Sequence, residues 1–274
     1  MKIKIAAIQM QSKDNLQVNL DHVAALLAQA AQQQVKLAVL PENFAMFAAG
    51  AQLTTAKQLP YIQRWLSEQA RIHNLWIVAG SVPCRERPNG ETVVNDKVRA
   101  SCFVYNNQGE LAGRYDKIHL FDAAIADQQA QYQESATFEA GNDVVVIKTP
   151  FANIGLSICY DVRFPQLYQA LRDRGADVIV VPAAFTALTG QAHWQVLLRA
   201  RAIETQCFIV GAGQSGQHSP TRTTWGHSQL IDAWGNVVAE QQQEGEGVVI
   251  AEYDLDEQQR IRQQMPLLSH RRLS

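Results

Sequence analysis

An α/β fold of two packed mixed sheets with helices outside is predicted by three features of the chain. Strand-like and helix-like segments alternate near the start, and hairpin-like pairs of extended segments follow. Together the strands number about a dozen, too many for one comfortably covered open sheet.

The elements follow in order. Ile3 to Ile8 reads as a buried strand, and apolar residues from Val18 to Ala31 recur at helical spacing (Val18, Leu20, Val23, Leu26, Leu27, Ala30). "KLAVLPE" is a short strand stopped by Pro41. Tyr61 to His73 is an amphipathic helix with Ile62, Trp65, Leu66 and Ala70 on one face, and residues 75–82, "LWIVAGSV", form a third strand. Strands separated by helices imply right-handed crossovers and parallel pairing. Residues 98–117 then read as two extended segments joined at Asn106–Gly109, a hairpin. Residues 143–161 repeat the pattern around a turn at Pro150. A helix from Pro165 to Arg174, a strand at 177–183, a helix from His193 to Thr205 and a strand at 207–213 come next. A hairpin at 226–240 turning at Ala233–Asn236 and a strand at 247–255 complete the set. The Gln/Ala-rich stretch 122–141 reads as a surface loop, plain or mobile.

Bulk properties narrow the function. The chain has 274 residues, 47% hydrophobic and 18% charged, with a formal net charge of −2. This is a globular composition with no basic stripe for nucleic acid and no polybasic segment for a membrane surface. The opening "MKIKIAAIQMQSKDN" lacks the long apolar core of a secretory signal, and no apolar run approaches the ~18 residues of a spanning helix. Cys84, Cys102, Cys159 and Cys207 lie far apart without a Cys-x-x-Cys pair, so reduced thiols and a cytoplasmic location are expected. No linker or repeat divides the chain, and residues 1–274 are expected to form a single domain.

A buried cysteine is by default a small apolar core residue, and Cys84, Cys102 and Cys207 are read so. Cys159 differs by position. In "IGLSICYDVRFPQLY" it ends an apolar strand, just before Asp161, Arg163 and a helix that starts near Pro165. Reactive groups in α/β sheets gather outside the carboxyl ends of strands. A nucleophilic cysteine needs a base and an oxyanion stabiliser. None of the seven histidines sits in a cysteine-protease or zinc-site context, and His119 and His227 are read as structural. Two other strand ends carry charge instead: Glu42 in "LAVLPENF" and Lys117 in "LAGRYDKIHLFD". Such a Glu suits proton relay, and such a Lys suits a site opposite a developing oxyanion.

The stretches "LPENF", "GRYDKIHLFD", "YQESATFEAGND" and "ICYDVRFPQLY" resemble, in order and spacing, the Glu, Lys and Cys motifs of the nitrilase superfamily, the carbon–nitrogen hydrolases. The likeness continues through residues 181–216 and 226–240 and so covers nearly the whole chain. It implies a four-layer α-β-β-α sandwich and a cysteine amidase with Cys159 as nucleophile and Glu42 as general base. Lys117 and the backbone N–H after Cys159 would hold the oxyanion, and Glu134 would position Lys117 and the substrate. It also implies no metal or organic cofactor. The partner is a small-molecule amide, and assembly is expected as a homodimer or higher homo-oligomer. The C-terminal segment, about 256–274, is expected at a subunit interface or frayed.

Within the superfamily, "CYDVRFPQL", "LTGQAHWQVLLRARAIETQC" and "MPLLSHRR" are similar to the branch that hydrolyses deaminated glutathione to 2-oxoglutarate and cysteinylglycine. The omega-amidase branch, acting on 2-oxoglutaramate, is the nearest alternative. N-carbamoyl amide hydrolases and an inactive binding module of the same fold are more distant ones. Tyr160 and Arg163 are the expected substrate-binding residues. The turn after Cys159 must face the pocket mouth, and a guanidinium grips a 2-oxo carboxylate with two parallel hydrogen bonds. The bland reading of Arg163 is an ion pair with Asp161 or Asp173.

Overall fold

A computed structural model describes residues 2–273. The first sheet has seven strands: β1 (Lys2–Gln9), β2 (Val35–Val39), β3 (Trp76–Val78), β4 (Val82–Cys84), β5 (Arg99–Tyr105), β6 (Leu111–Asp116) and the late strand β17 (Gly247–Asp254). Its order is β17-β1-β2-β3-β5-β4, with β6 on the remaining edge of β5. The β1–β2 and β2–β3 pairs are parallel, joined by crossovers through α1 (Leu16–Gln32) and through α2 (Gln52–Lys57) with α3 (Leu59–His73). Between the sheets in sequence lies a two-stranded ribbon, β7 (Asp122–Ala124) with β8 (Gln131–Gln133).

The second sheet contains β9 (Val146–Lys148), β10 (Asn153–Leu156), β11 (Val178–Ala183), β12 (Phe208–Gly213), β15 (Gln229–Ile231) and β16 (Val237–Glu240), in the order β16-β15-β12-β11-β10-β9. Helices α4 (Pro165–Asp173) and α5 (Ala187–Thr205) provide its crossovers. A second ribbon pairs β13 (Ser215–Ser219) with β14 (Arg222–Trp225). The chain ends in α6 (Leu255–Gln264) and α7 (Leu267–His270).

The four layers follow from the two-residue period of the strands. Ile5, Ala7, Leu37, Val39, Cys102 and Val104 face the core shared with Ile154, Leu156, Val178 and Val180 of the other sheet. Their neighbours Ala6, Ile8, Ala38, Phe103 and Tyr105 face the opposite side, packing with Leu20, Val23 and Leu27 of α1 and Ile62, Leu66 and Ala70 of α3. Beyond the second sheet, Tyr168 and Leu171 of α4 and Trp194 and Leu198 of α5 are buried in the same core as the strands they cover. This is the α-β-β-α sandwich that the sequence predicts.

Five elements differ from the sequence reading. Residues 75–82 form two short strands, because Gly80 takes φ 50° and its bare Cα passes where a Cβ would meet the Pro41 carbonyl oxygen at 1.9 Å. Helix α5 starts at Ala187, not His193: Thr186 caps it by accepting from the Thr189 N–H at 3.2 Å. Gly190, which weakens the helical pattern, is there because a Cβ would meet the Trp225 Cβ at 2.2 Å. The stretch 122–141 is not a plain loop but contains the β7–β8 ribbon and a 3₁₀ turn at Glu134–Ala136. Helix α2 and the β13–β14 ribbon lie in stretches to which the sequence reading assigns no element.

The C-terminal segment packs on its own chain. Arg262 donates to Asp177 Oδ1 at 2.8 Å and to the Gln206 carbonyl at 3.1 Å, and Arg271 pairs with Asp173 at 2.9 Å. Ser274, the last residue of the expected interface segment, lies outside the described residues.

Candidate active site

Four strands deliver their carboxyl ends to one cavity. Glu42 lies three residues past β2, Lys117 directly follows β6, Cys159 lies three residues past β10, and Ala184 directly follows β11. Since β2 and β6 belong to one sheet and β10 and β11 to the other, the site straddles the end of the sandwich. The cavity is about 770 Å³ and is lined by Glu42, Lys117, Glu134, Cys159, Tyr160 and Arg163, among others. Every candidate site residue named from the sequence therefore meets there.

Lys117 is 2% exposed, and its ammonium lies 2.8 Å from Glu42 Oε1 and 2.8 and 2.9 Å from the two oxygens of Glu134. Burial alone would lower its pKa, but the Glu134 and Glu42 carboxylates reverse that and hold it well above the ordinary lysine value. With one hydrogen on each carboxylate, an ammonium retains a third donor for a ligand. Burial pushes the Glu134 carboxyl up, against the pull of Lys117. Its Oε2 also accepts from the Phe121 N–H at 2.6 Å. Glu42 is fixed from two further directions: its Oε2 accepts from the Ala184 N–H at 2.9 Å, and its carbonyl accepts from Gln214 Nε2 at 3.0 Å.

Cys159 opens a 3₁₀ turn, Cys159–Arg163, with φ 49° in the left-handed region. Burial, then the charge of Glu42, pushes its thiol well above the ordinary value, while Lys117 and the Ala184 N–H oppose them less strongly. The sulfur therefore rests as a neutral thiol and needs a base at the moment of attack.

The sequence reading missed the group that aligns this turn. Asp161 is fully buried, and its Oδ2 accepts from the Ile158 N–H at 2.9 Å and the Tyr115 hydroxyl at 2.7 Å. Its Oδ1 lies 3.0 Å from the His119 N–H and 2.7 Å from His119 Nδ1. Tyr115 and His119 flank Lys117 two residues to either side, so one carboxylate ties the lysine's strand end to the cysteine's. The signal is a carboxylate two residues past the end of an apolar run in "ICYD", which by sequence alone offers only an ion-pair partner for Arg163.

Arg163 makes neither of the ion pairs considered for it. Asp161 is engaged as above, and Asp173 pairs with Arg271. The guanidinium instead lies over the rings of Tyr160 and Phe185, 5.8 and 5.1 Å from their centroids, and contacts His193 Nδ1 at 3.2 Å. His119 stacks on Phe164 at 3.7 Å between ring centres, and His227 bonds Glu240 at 2.9 Å, both structural as read. All four cysteines are free and buried. Among the described residues no group of His, Cys, Asp and Glu is arranged to hold a metal ion, and no helix is long and apolar enough to cross a membrane.

Known proteins share this arrangement of the chain. The carbon-nitrogen hydrolase family model matches residues 4–263. The deaminated glutathione amidase of Yersinia enterocolitica is 40% identical over 273 residues, 98% of this chain and 92% of the relative. The deaminated glutathione amidase of Synechocystis is 43% identical over 272 residues, 97% of each. The crystal structure of Saccharomyces cerevisiae Nit3, a member of branch 10 of the nitrilase superfamily, matches with a TM-score of 0.87 at 30% identity, covering 99% of this chain and 97% of that one.

Proposed function

The chain belongs to the carbon–nitrogen hydrolase family and is a hydrolase of carbon–nitrogen bonds other than peptide bonds; from that premise we propose that it hydrolyses deaminated glutathione through a thioester on Cys159. The relatives' names support the substrate. One observation carries the mechanism: Lys117, bonded at 2.8 Å to both Glu42 and Glu134, lines the same cavity as Cys159.

In this reading Cys159 attacks the amide carbonyl that joins 2-oxoglutarate to cysteinylglycine, and Glu42 accepts the thiol proton. The free donor of Lys117 and the Tyr160 N–H stabilise the oxyanion. Glu42 returns the proton to the leaving amine, and cysteinylglycine departs. A water that Glu42 deprotonates then attacks the thioester carbon; the C–S bond breaks, 2-oxoglutarate leaves, and Glu42 passes the proton back to the Cys159 sulfur. Glu134 keeps Lys117 in place, and Arg163 holds the 2-oxo carboxylate of the acyl portion, with the Tyr160 ring beneath it. We take residues 1–274 as one domain of a homodimer or higher homo-oligomer, with the segment from about 256 to 274 near a subunit contact, in the cytoplasm.

The test is a panel of deaminated glutathione, 2-oxoglutaramate, N-carbamoyl amino acids and nitriles. Highest kcat/KM is expected on deaminated glutathione, with a thioester detectable by mass spectrometry and lost in Cys159→Ala. A higher kcat/KM on another member overturns the substrate. Retained turnover in Cys159→Ala overturns the mechanism.

A further inference from the structure

Arg222, on β14, is a second guanidinium in the cavity wall and has no part in the chemistry above. It lies between the rings of Phe47 and Tyr132, 5.7 and 4.9 Å from their centroids. Its Nη2 donates to the Ala184 carbonyl at 2.7 Å, while its Nη1 is buried with no hydrogen-bond partner among the described residues. No described carboxylate pairs with it. The other charges on this wall do not compensate it: Glu42 and Glu134 are engaged by Lys117, and Asp14 is exposed. His218, also in the wall, is kept neutral by burial, with its pKa lowered to about 4. Arg222 is half-buried, and a buried guanidinium donor left unused costs free energy that an arriving anion would recover.

The position of Arg222 suggests which anion. Residues 184 and 185 lie between the two arginines. The Ala184 N–H holds Glu42, its carbonyl holds Arg222, and the next ring, Phe185, lies under Arg163. Deaminated glutathione carries one carboxylate beside its keto group and a second on its terminal glycine, on opposite sides of the scissile amide. Arg163 serves the first in the reading above, on which this step rests. We propose that Arg222 is a specificity-determining residue that binds the terminal glycine carboxylate of the leaving cysteinylglycine. The planar fork offers Nη1 to that carboxylate, and the flanking rings fix its plane.

The experiment pairs deaminated glutathione with its analogue amidated at the glycine carboxyl, assayed on wild type, Arg222→Gln and Arg222→Lys, with melting curves for each. Wild type is expected to prefer the acid by roughly 10- to 100-fold in kcat/KM, as for a charge-assisted hydrogen bond. The preference should lie mainly in KM, vanish in Arg222→Gln and be partly kept in Arg222→Lys. If Arg222 only braces Ala184, its variants slow both substrates alike and the preference survives; that outcome overturns the assignment. So does a wild type without preference, even one that hydrolyses both compounds well. Turnover of neither compound by the wild type sinks the substrate reading itself, and the assignment with it.

Discussion

Cys159 carries its backbone at φ 49°, a conformation that disfavours any residue with a Cβ, and carries its thiol in a buried, unionised state. The first is unfavourable in isolation, and both serve a nucleophile that must project into the cavity and lose its proton only to Glu42. The two charges beside the thiol act on it with opposite signs, which separates reactivity from turnover. Glu42→Gln removes a negative charge that raises the thiol pKa, so the pH profile of Cys159 alkylation by iodoacetamide should move to lower pH. Turnover should nonetheless fall by ~10²–10⁴-fold, because the base is gone. Lys117→Met should move the same profile to higher pH and reduce turnover by ~10²–10³-fold as an oxyanion donor is lost. If both variants shift the alkylation profile in one direction, the roles are misassigned. Arg163→Lys keeps the charge but loses the fork, so it should raise KM for 2-oxo acid amides more than it lowers kcat. Equal loss of alkylation and amidase activity in Arg163→Ala would mean instead that the turn has collapsed.

At the scale of elements, the site depends on how strand ends and helix starts are bound to one another. Asp161 fastens the turn of Cys159 to both sides of Lys117, and the Ala184 N–H at the end of β11 fastens Glu42. The first turn of α5 bears on the same region. Gly190 lies so close to Trp225 of β14 that a methyl group there would sit 2.2 Å from its Cβ. Gly190→Ala should therefore force α5 and β14 apart, lowering stability by about 1–3 kcal/mol as overpacking does. Because β14 also carries Arg222, KM should rise in the same variant. Chemical denaturation together with steady-state kinetics would check both; an unchanged denaturation midpoint would show that the helix start is free to yield.

At the scale of the whole molecule, the outer face of α5 exposes two large apolar side chains among polar ones. Val196 and Ile203, seven residues apart on one face, are 67% and 44% exposed, and Trp234 in the β15–β16 turn is 57% exposed. Exposed apolar groups on a covering helix support the proposed association of copies. Val196→Lys combined with Ile203→Lys should lower the mass measured by light scattering, without loss of the far-ultraviolet helix signal. The same mass in variant and parent would place any subunit contact elsewhere.

By itself the sequence determined the two-sheet α/β class, the buried strands, the main helices and the strand-end positions of Glu42, Lys117 and Cys159. These are local matters of side-chain period and of charge placed where an apolar run ends. The motif resemblance added Glu134, whose polar stretch hides its burial. What only tertiary structure decided depended on contacts distant along the chain. The break at Gly80 reflects Pro41, the glycine at 190 reflects Trp225, and Asp161 matters because Tyr115 and His119 reach it. Arg222 was likewise illegible in "PTRTTWG". Its significance lies in a buried donor without a partner between Phe47 and Tyr132, and only the folding of three separate segments around one cavity creates that condition.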